Sequence, residues 1–106
     1  MPSMLRALPP IPERIEKEET ETTEAPLYDI IIHNDDTTPM DFVIHILNTI
    51  FSIPNPNAAN IMYTAHLNGE AYVQTLPKLE AQRRVSKARF AARLQSYPLE
   101  FSIKRA

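Results

Sequence analysis

The chain has 106 residues, 11 Lys and Arg against 13 Asp and Glu, and a formal net charge of -2, a balance that makes no electrostatic case for a polyanionic partner. Cysteine is absent, so disulfides, thiolate metal sites and cysteine nucleophiles are excluded, and a reducing compartment is compatible. No apolar run approaches the ~18 residues of a membrane span, and acidic residues and prolines follow the first few positions where a secretory leader would need an apolar stretch. The expectation is a soluble, intracellular protein.

Residues 1–26 change character twice. Met1 to Pro12 is proline-rich with scattered apolar residues, Glu13 to Glu24 is dominated by Glu and Thr, and neither part has an apolar face. Low hydrophobicity and like-charge repulsion leave chain entropy unopposed, which predicts a disordered N-terminal extension ahead of a folded domain over 27–106.

Tyr28 to Ile32 is β-branched and apolar enough for a largely buried strand. Asn34-Asp35-Asp36-Thr37 follows as a polar turn that hands over to a helix. Thr38 is placed as its N-cap, Pro39 as its first helical residue, and Asp41, three after the cap, completes a capping box. That helix, Pro39 to about Ser52, is apolar around most of its girth and is expected to be buried on more than one side. Asn55-Pro56 opens a second helix that runs through Met62, Ala65 and His66 to Gly69, which is suited to stop it in the left-handed conformation.

Ala71 to Leu76 reads as a short strand, and Pro77 opens a third helix to about Gln95. Ala81, Val85, Ala88 and Ala92 form its narrow inward stripe, with Phe90 and Leu94 placed beside them. Leu99, Phe101 and Ile103 alternate with polar residues as a half-buried closing strand. The order β-α-α-β-α-β predicts a small two-layer α+β sandwich, a three-stranded antiparallel sheet with helices on one face.

The polar turn is the candidate site. His66, Met62 and Ala65 share neighbouring parts of one helical face. If that face packs beside the start of the first helix, Met40 and Val43 join them and an apolar hole with polar groups at its mouth results. Four readings are open: a well-capped turn beside a satisfied histidine, a metal site using His33, Asp35, His45 and His66, a catalytic acidic turn, and a receptor for an ammonium group attached to a large apolar side chain. No paired-histidine motif supports the metal, and no activated nucleophile supports catalysis. Arg83, Arg84, Lys87, Arg89 and Arg93 make the third helix basic, yet the absence of interleaved exposed aromatics favours a solvated or protein-docking face over nucleic acid.

The run Asn34-Asp35-Asp36-Thr37-Thr38-Pro39-Met40-Asp41-Phe42-Val43, with Met62, His66 and Gly69 downstream, closely resembles the ClpS family, the adaptors of the bacterial and plastid N-degron pathway. The resemblance covers about residues 27–104. It implies a non-enzymatic, cofactor-free monomer, cytoplasmic or in the plastid stroma. Such an adaptor binds proteins that begin with Leu, Phe, Tyr or Trp and delivers them to a ClpA- or ClpC-type AAA+ unfoldase working with ClpP. Positions matching Asn34, Asp35 (often through water) and His66 would hold the free α-amino group. Thr38, Met40, Val43, Met62, Ala65 and Leu99 would line the side-chain pocket, with the small Ala65 making it roomier and favouring aromatic rings. Glu80 and Arg84 match the region that docks the unfoldase. The distinct alternative is a non-catalytic interaction module that ignores the identity of the N-terminal residue.

Overall fold

Three consecutive isoleucines occupy the centre of the sheet. In the computed structural model, which describes residues 26–106, strand β1 (Leu27–His33) lies between β2 (Glu70–Pro77) and β3 (Glu100–Arg105) and is antiparallel to both. Ile30 and Ile32 point into the main core, while Ile31, on the opposite face, is also buried. Apart from Pro26, the expected disordered extension lies outside the described residues.

Helices α1 (Met40–Thr49), α2 (Asn55–Asn68) and α3 (Lys78–Leu94) complete the order β-α-α-β-α-β. Val43, Ile46 and Leu47 of α1 are buried, with Phe42 and Ile44 packed partly against the same cluster. The chain turns out of α1 at Ser52, which has a positive φ of 57°, and the Ile53 N–H closes the corner on the Leu47 carbonyl at 3.1 Å. The second helix includes Asn55 rather than being capped by it. Pro54 holds the cap position with extended backbone, and Pro56 falls in the first turn.

Gly69 ends α2 with φ 91°, and its N–H donates to the Ala65 carbonyl at 2.8 Å. A Cβ added there would meet nothing within 4 Å, so glycine is required by the left-handed backbone and not by crowding. The Gly69 carbonyl then accepts the Asn34 N–H at 2.9 Å. That bond ties the end of α2 to the end of β1 and sets His66 beside the polar turn.

Ala81, Val85, Ala88 and Ala92 pack α3 on the sheet as expected, but Phe90 and Leu94 are not beside them: they are 66% and 68% exposed. Phe90 stands two residues from both Ala88 and Ala92, about 200° around the helix from each, which turns it outward. A register shift opposite Ile30 and Ile31 leaves Val73 of β2 without a partner. This bulge lets Val73 enter the core while Gln74 also reaches the helical side, where its Nε2 donates to the Phe51 carbonyl at 3.2 Å.

Candidate functional site

The polar turn is organised by Asp35. Its Oδ1 accepts the backbone N–H of Thr37 at 2.8 Å and of Thr38 at 2.7 Å, and its Oδ2 accepts the Thr38 hydroxyl at 2.9 Å. This is an Asp side chain imitating a backbone turn, the local chemistry for which Asp is favoured before a helix.

The expected capping box is therefore not formed. Helix α1 begins at Met40, Pro39 occupies the cap position with φ -63° and ψ 145°, and no side chain caps it. The Thr38 hydroxyl is directed to Asp35, and Asp41 accepts the neighbouring Phe42 N–H at 2.9 Å. Pro39 has no N–H to offer, and its carbonyl starts the helix by accepting from Val43 at 3.2 Å.

A cavity of about 310 Å³ opens at this turn, and every residue expected at the amine-binding mouth or the side-chain pocket lines it. Met40 and Val43 come from α1, Met62, Ala65 and His66 from α2, and Leu99 from the approach to β3. Asn34, Asp35 and Thr38 come from the turn. Val43, Met62, Ala65 and Leu99 are buried, whereas Met40 is 43% exposed and stands at the edge. Asn34, Asp36 and His66 carry exposed side chains and take no part in the hydrogen bonds that build the turn.

Ile32, His33, Asp36, Thr37 and Pro39 also line the cavity and were not singled out as pocket residues. Strand alternation offers a signal for Ile32: it stands two residues before Asn34 on the core face of β1. A metal centre does not assemble, since no three His, Asp or Glu side chains come together among the described residues. His33 instead bonds Ser102 at 2.7 Å on the open face of the sheet and lies 3.6 Å from Glu70.

Glu80 and Arg84 form the anticipated i, i+4 pair at 2.8 Å, outside the cavity. Arg84 also donates to the Gln74 side chain at 3.2 Å, and Gln74 reaches Phe51. The pair thus belongs to a bridge that joins α3, β2 and the corner after α1. The Arg84 hydrogen bond holds the Glu80 carboxyl below the usual carboxylate range despite some burial, helped by the charges of Arg84 and Arg83.

Comparison with known proteins gives the lineage of this architecture. Residues 23–102 match the family model described as ATP-dependent Clp protease adaptor protein ClpS. The chain belongs to the ClpS family. It is 35% identical over 85 residues to the ClpS adapter of Vibrio atlanticus, covering 80% of each chain. With the ClpS adapter of Ruegeria pomeroyi it shares 36% over 84 residues, 79% of this chain and 74% of the other. The fold matches Agrobacterium tumefaciens ClpS2 bound to L-phenylalaninamide with a TM-score of 0.75 and 28% identity, over 78% of this chain and 100% of that one. As a ClpS protein it is an adaptor of the ATP-dependent Clp protease and not an enzyme. None of its described helices is long and apolar enough to cross a membrane.

Proposed function

We propose that this ClpS protein binds proteins whose first residue is Leu, Phe, Tyr or Trp, holding the free α-amino group and the side chain together. The supporting observation is one cavity with acceptors at its mouth and apolar walls behind them. Asn34, Asp35 and His66 are assigned to the ammonium. Asp35 Oδ1 already accepts two N–H groups and Oδ2 accepts only one O–H, so Oδ2 is the oxygen with a lone pair left for the amine or for a bridging water. Thr38, Met40, Val43, Met62, Ala65 and Leu99 are assigned to the side chain.

Burying an ammonium is costly unless its three N–H groups find acceptors, so a mouth of this kind selects a free amine and rejects a blocked or internal residue. The ligand of the Agrobacterium ClpS2, L-phenylalaninamide, carries the same three parts: an α-amine, a ring, and an amide where a chain would continue. Volume is compatible as well, since about 310 Å³ lies at the small end of ligand pockets, ~300–1,000 Å³. The small Ala65 leaves width for aromatic rings. Captured substrates pass to a ClpA- or ClpC-type AAA+ unfoldase with ClpP, in the cytoplasm, from a monomeric adaptor. Glu80 and Arg84, both partly exposed, are assigned to the edge of the unfoldase contact.

The deciding experiment titrates the protein with peptides that differ only in their first residue, each with a free or an acetylated N-terminus. Acetylation removes the charge and two donors, and charge-assisted bonds contribute ~1.5–3 kcal/mol each, so affinity should fall by at least ~100-fold. Equal binding of both forms would overturn the proposal.

A further inference from the structure

The outward side of α3 is apolar and cationic at once. Leu79, Phe90 and Leu94 are 67%, 66% and 68% exposed, and at helical spacing Arg83 and Lys87 stand between them. The helix carries six Lys or Arg and a single acid, Glu80. Arg89 and Arg93 pair with Glu100, Arg83 and Arg84 share Glu80, and Lys87 joins no ion pair among the described residues. A stripe with surplus positive charge and uncovered apolar surface calls for an occupant that is acidic and partly apolar.

The chain itself supplies one. Residues 13–24 hold six Glu against Arg14 and Lys17, a net charge of -4, with Ile15 inside the stretch and Ile11 just before it. Their point of departure is also suitable. Leu27 pairs with Pro77 in the sheet, and Pro77 directly precedes α3. The Lys78 ammonium lies 5.7 Å from the centre of the Tyr28 ring, so the strand that the segment leads into begins beside the first turn of α3, at the positive end of the helix dipole. The 17 residues of α3 span about 25 Å, a distance that ~8 extended residues cover. Twelve residues therefore reach the whole stripe.

We propose that the Glu- and Thr-rich segment 13–24 of the same chain docks on the outer stripe of α3, where its net charge of -4 meets Arg83 and Lys87. Tethering sets the local concentration of the segment in the millimolar range, so a weak contact is enough to occupy the stripe. A second copy of the folded domain is a poorer occupant, because two such stripes would bring Arg83 and Lys87 against like charges.

The absence of cysteine makes the test direct. In the full chain, Thr20→Cys provides a single position for a nitroxide, and the broadening of backbone amide signals maps where that label dwells. The expected result is loss of roughly half the signal at Arg83, Lys87 and Phe90 in low salt, recovered near 0.5 M salt, where screening falls to ~4 Å. Arg83→Glu with Lys87→Glu should also abolish the broadening. Uniform or absent broadening, broadening centred on the cavity mouth, or broadening that survives both salt and charge reversal would overturn the assignment. So would broadening seen only when labelled and unlabelled chains are mixed, which would identify a second copy as the occupant.

Discussion

Two acidic groups, Asp35 and Glu80, each organise a polar cluster, and the two clusters differ in range. Asp35 bonds only within three residues, to two backbone N–H groups and one hydroxyl. Glu80 bonds two guanidinium groups, and through Arg84 and Gln74 its cluster extends to Phe51. A carboxylate that closes its own turn leaves its neighbours Asn34, Asp36 and His66 available at a cavity. A carboxylate whose two oxygens are both taken by guanidinium groups, one of which reaches on to another element, leaves little over for a ligand. Similar residue types thus line a cavity in one place and form a clasp in the other.

Removing Asp35 should expose this contrast. Asp35→Ala deletes three local acceptor contacts and the charge proposed to face the amine, so binding of a Phe-starting peptide should drop by ~100-fold while stability falls by only about 1–2 kcal/mol, since the freed donors are near water. Calorimetric titration beside urea unfolding separates the two. Asp35→Asn, which keeps an acceptor oxygen for the turn, should retain more of the stability than of the affinity. A large stability loss with affinity preserved would make Asp35 a clasp like Glu80.

The rim should respond next. Met40 is exposed at the cavity edge, where it would crowd a side chain branched at Cβ, and such overpacking costs about 1–3 kcal/mol. Met40→Ala should raise affinity for Val- and Ile-starting peptides about tenfold and leave Phe nearly unchanged. An unaltered preference order would assign the discrimination to the deeper walls. Gln74→Ala should do the reverse, lowering stability by about 1 kcal/mol through the orphaned Phe51 carbonyl while the preference order stays the same.

Local periodicity made most of this fold legible: the isoleucine strand, the order of two helices after it, the stop at Gly69 and the final alternation stand, while α1 ends at Thr49, short of Ser52, and Leu99 precedes β3. The lining of the cavity was legible in two stages. Helical spacing brought Met62, Ala65 and His66 onto one face, and resemblance supplied Leu99, whose place depends on the return of β3. Features that depend on a choice between equivalent partners were not legible. The Thr38 hydroxyl could cap a helix or bond Asp35, and both partners stand three residues or fewer away. Apolar identity likewise put Phe90 and Leu94 inside, where only the angular position of α3 decides. The bulge at Val73 leaves no mark in composition, so the inward Gln74 could not be foreseen.

The smallest effect should come from a second long-range clasp. Glu100 accepts Arg89 at 3.0 Å and also pairs with Arg93, fastening α3 to β3. Burial pushes its carboxyl upward, but the Arg89 hydrogen bond and the charges of Arg89 and Arg93 outweigh this and hold it below the usual carboxylate range. A carboxyl lowered in the folded state contributes stability above its unfolded value of ~4.3, and that contribution is lost as pH falls through the folded value. Because the Glu100 side chain is 46% exposed, solvent screens the pair and the effect is modest. Glu100→Gln should therefore melt slightly below the wild type at pH 7, with the gap closing in the acid range below about pH 4 and shrinking in high salt. A gap independent of pH would mean that Glu100 acts through packing, and the charge-based clasp would then be confined to Glu80.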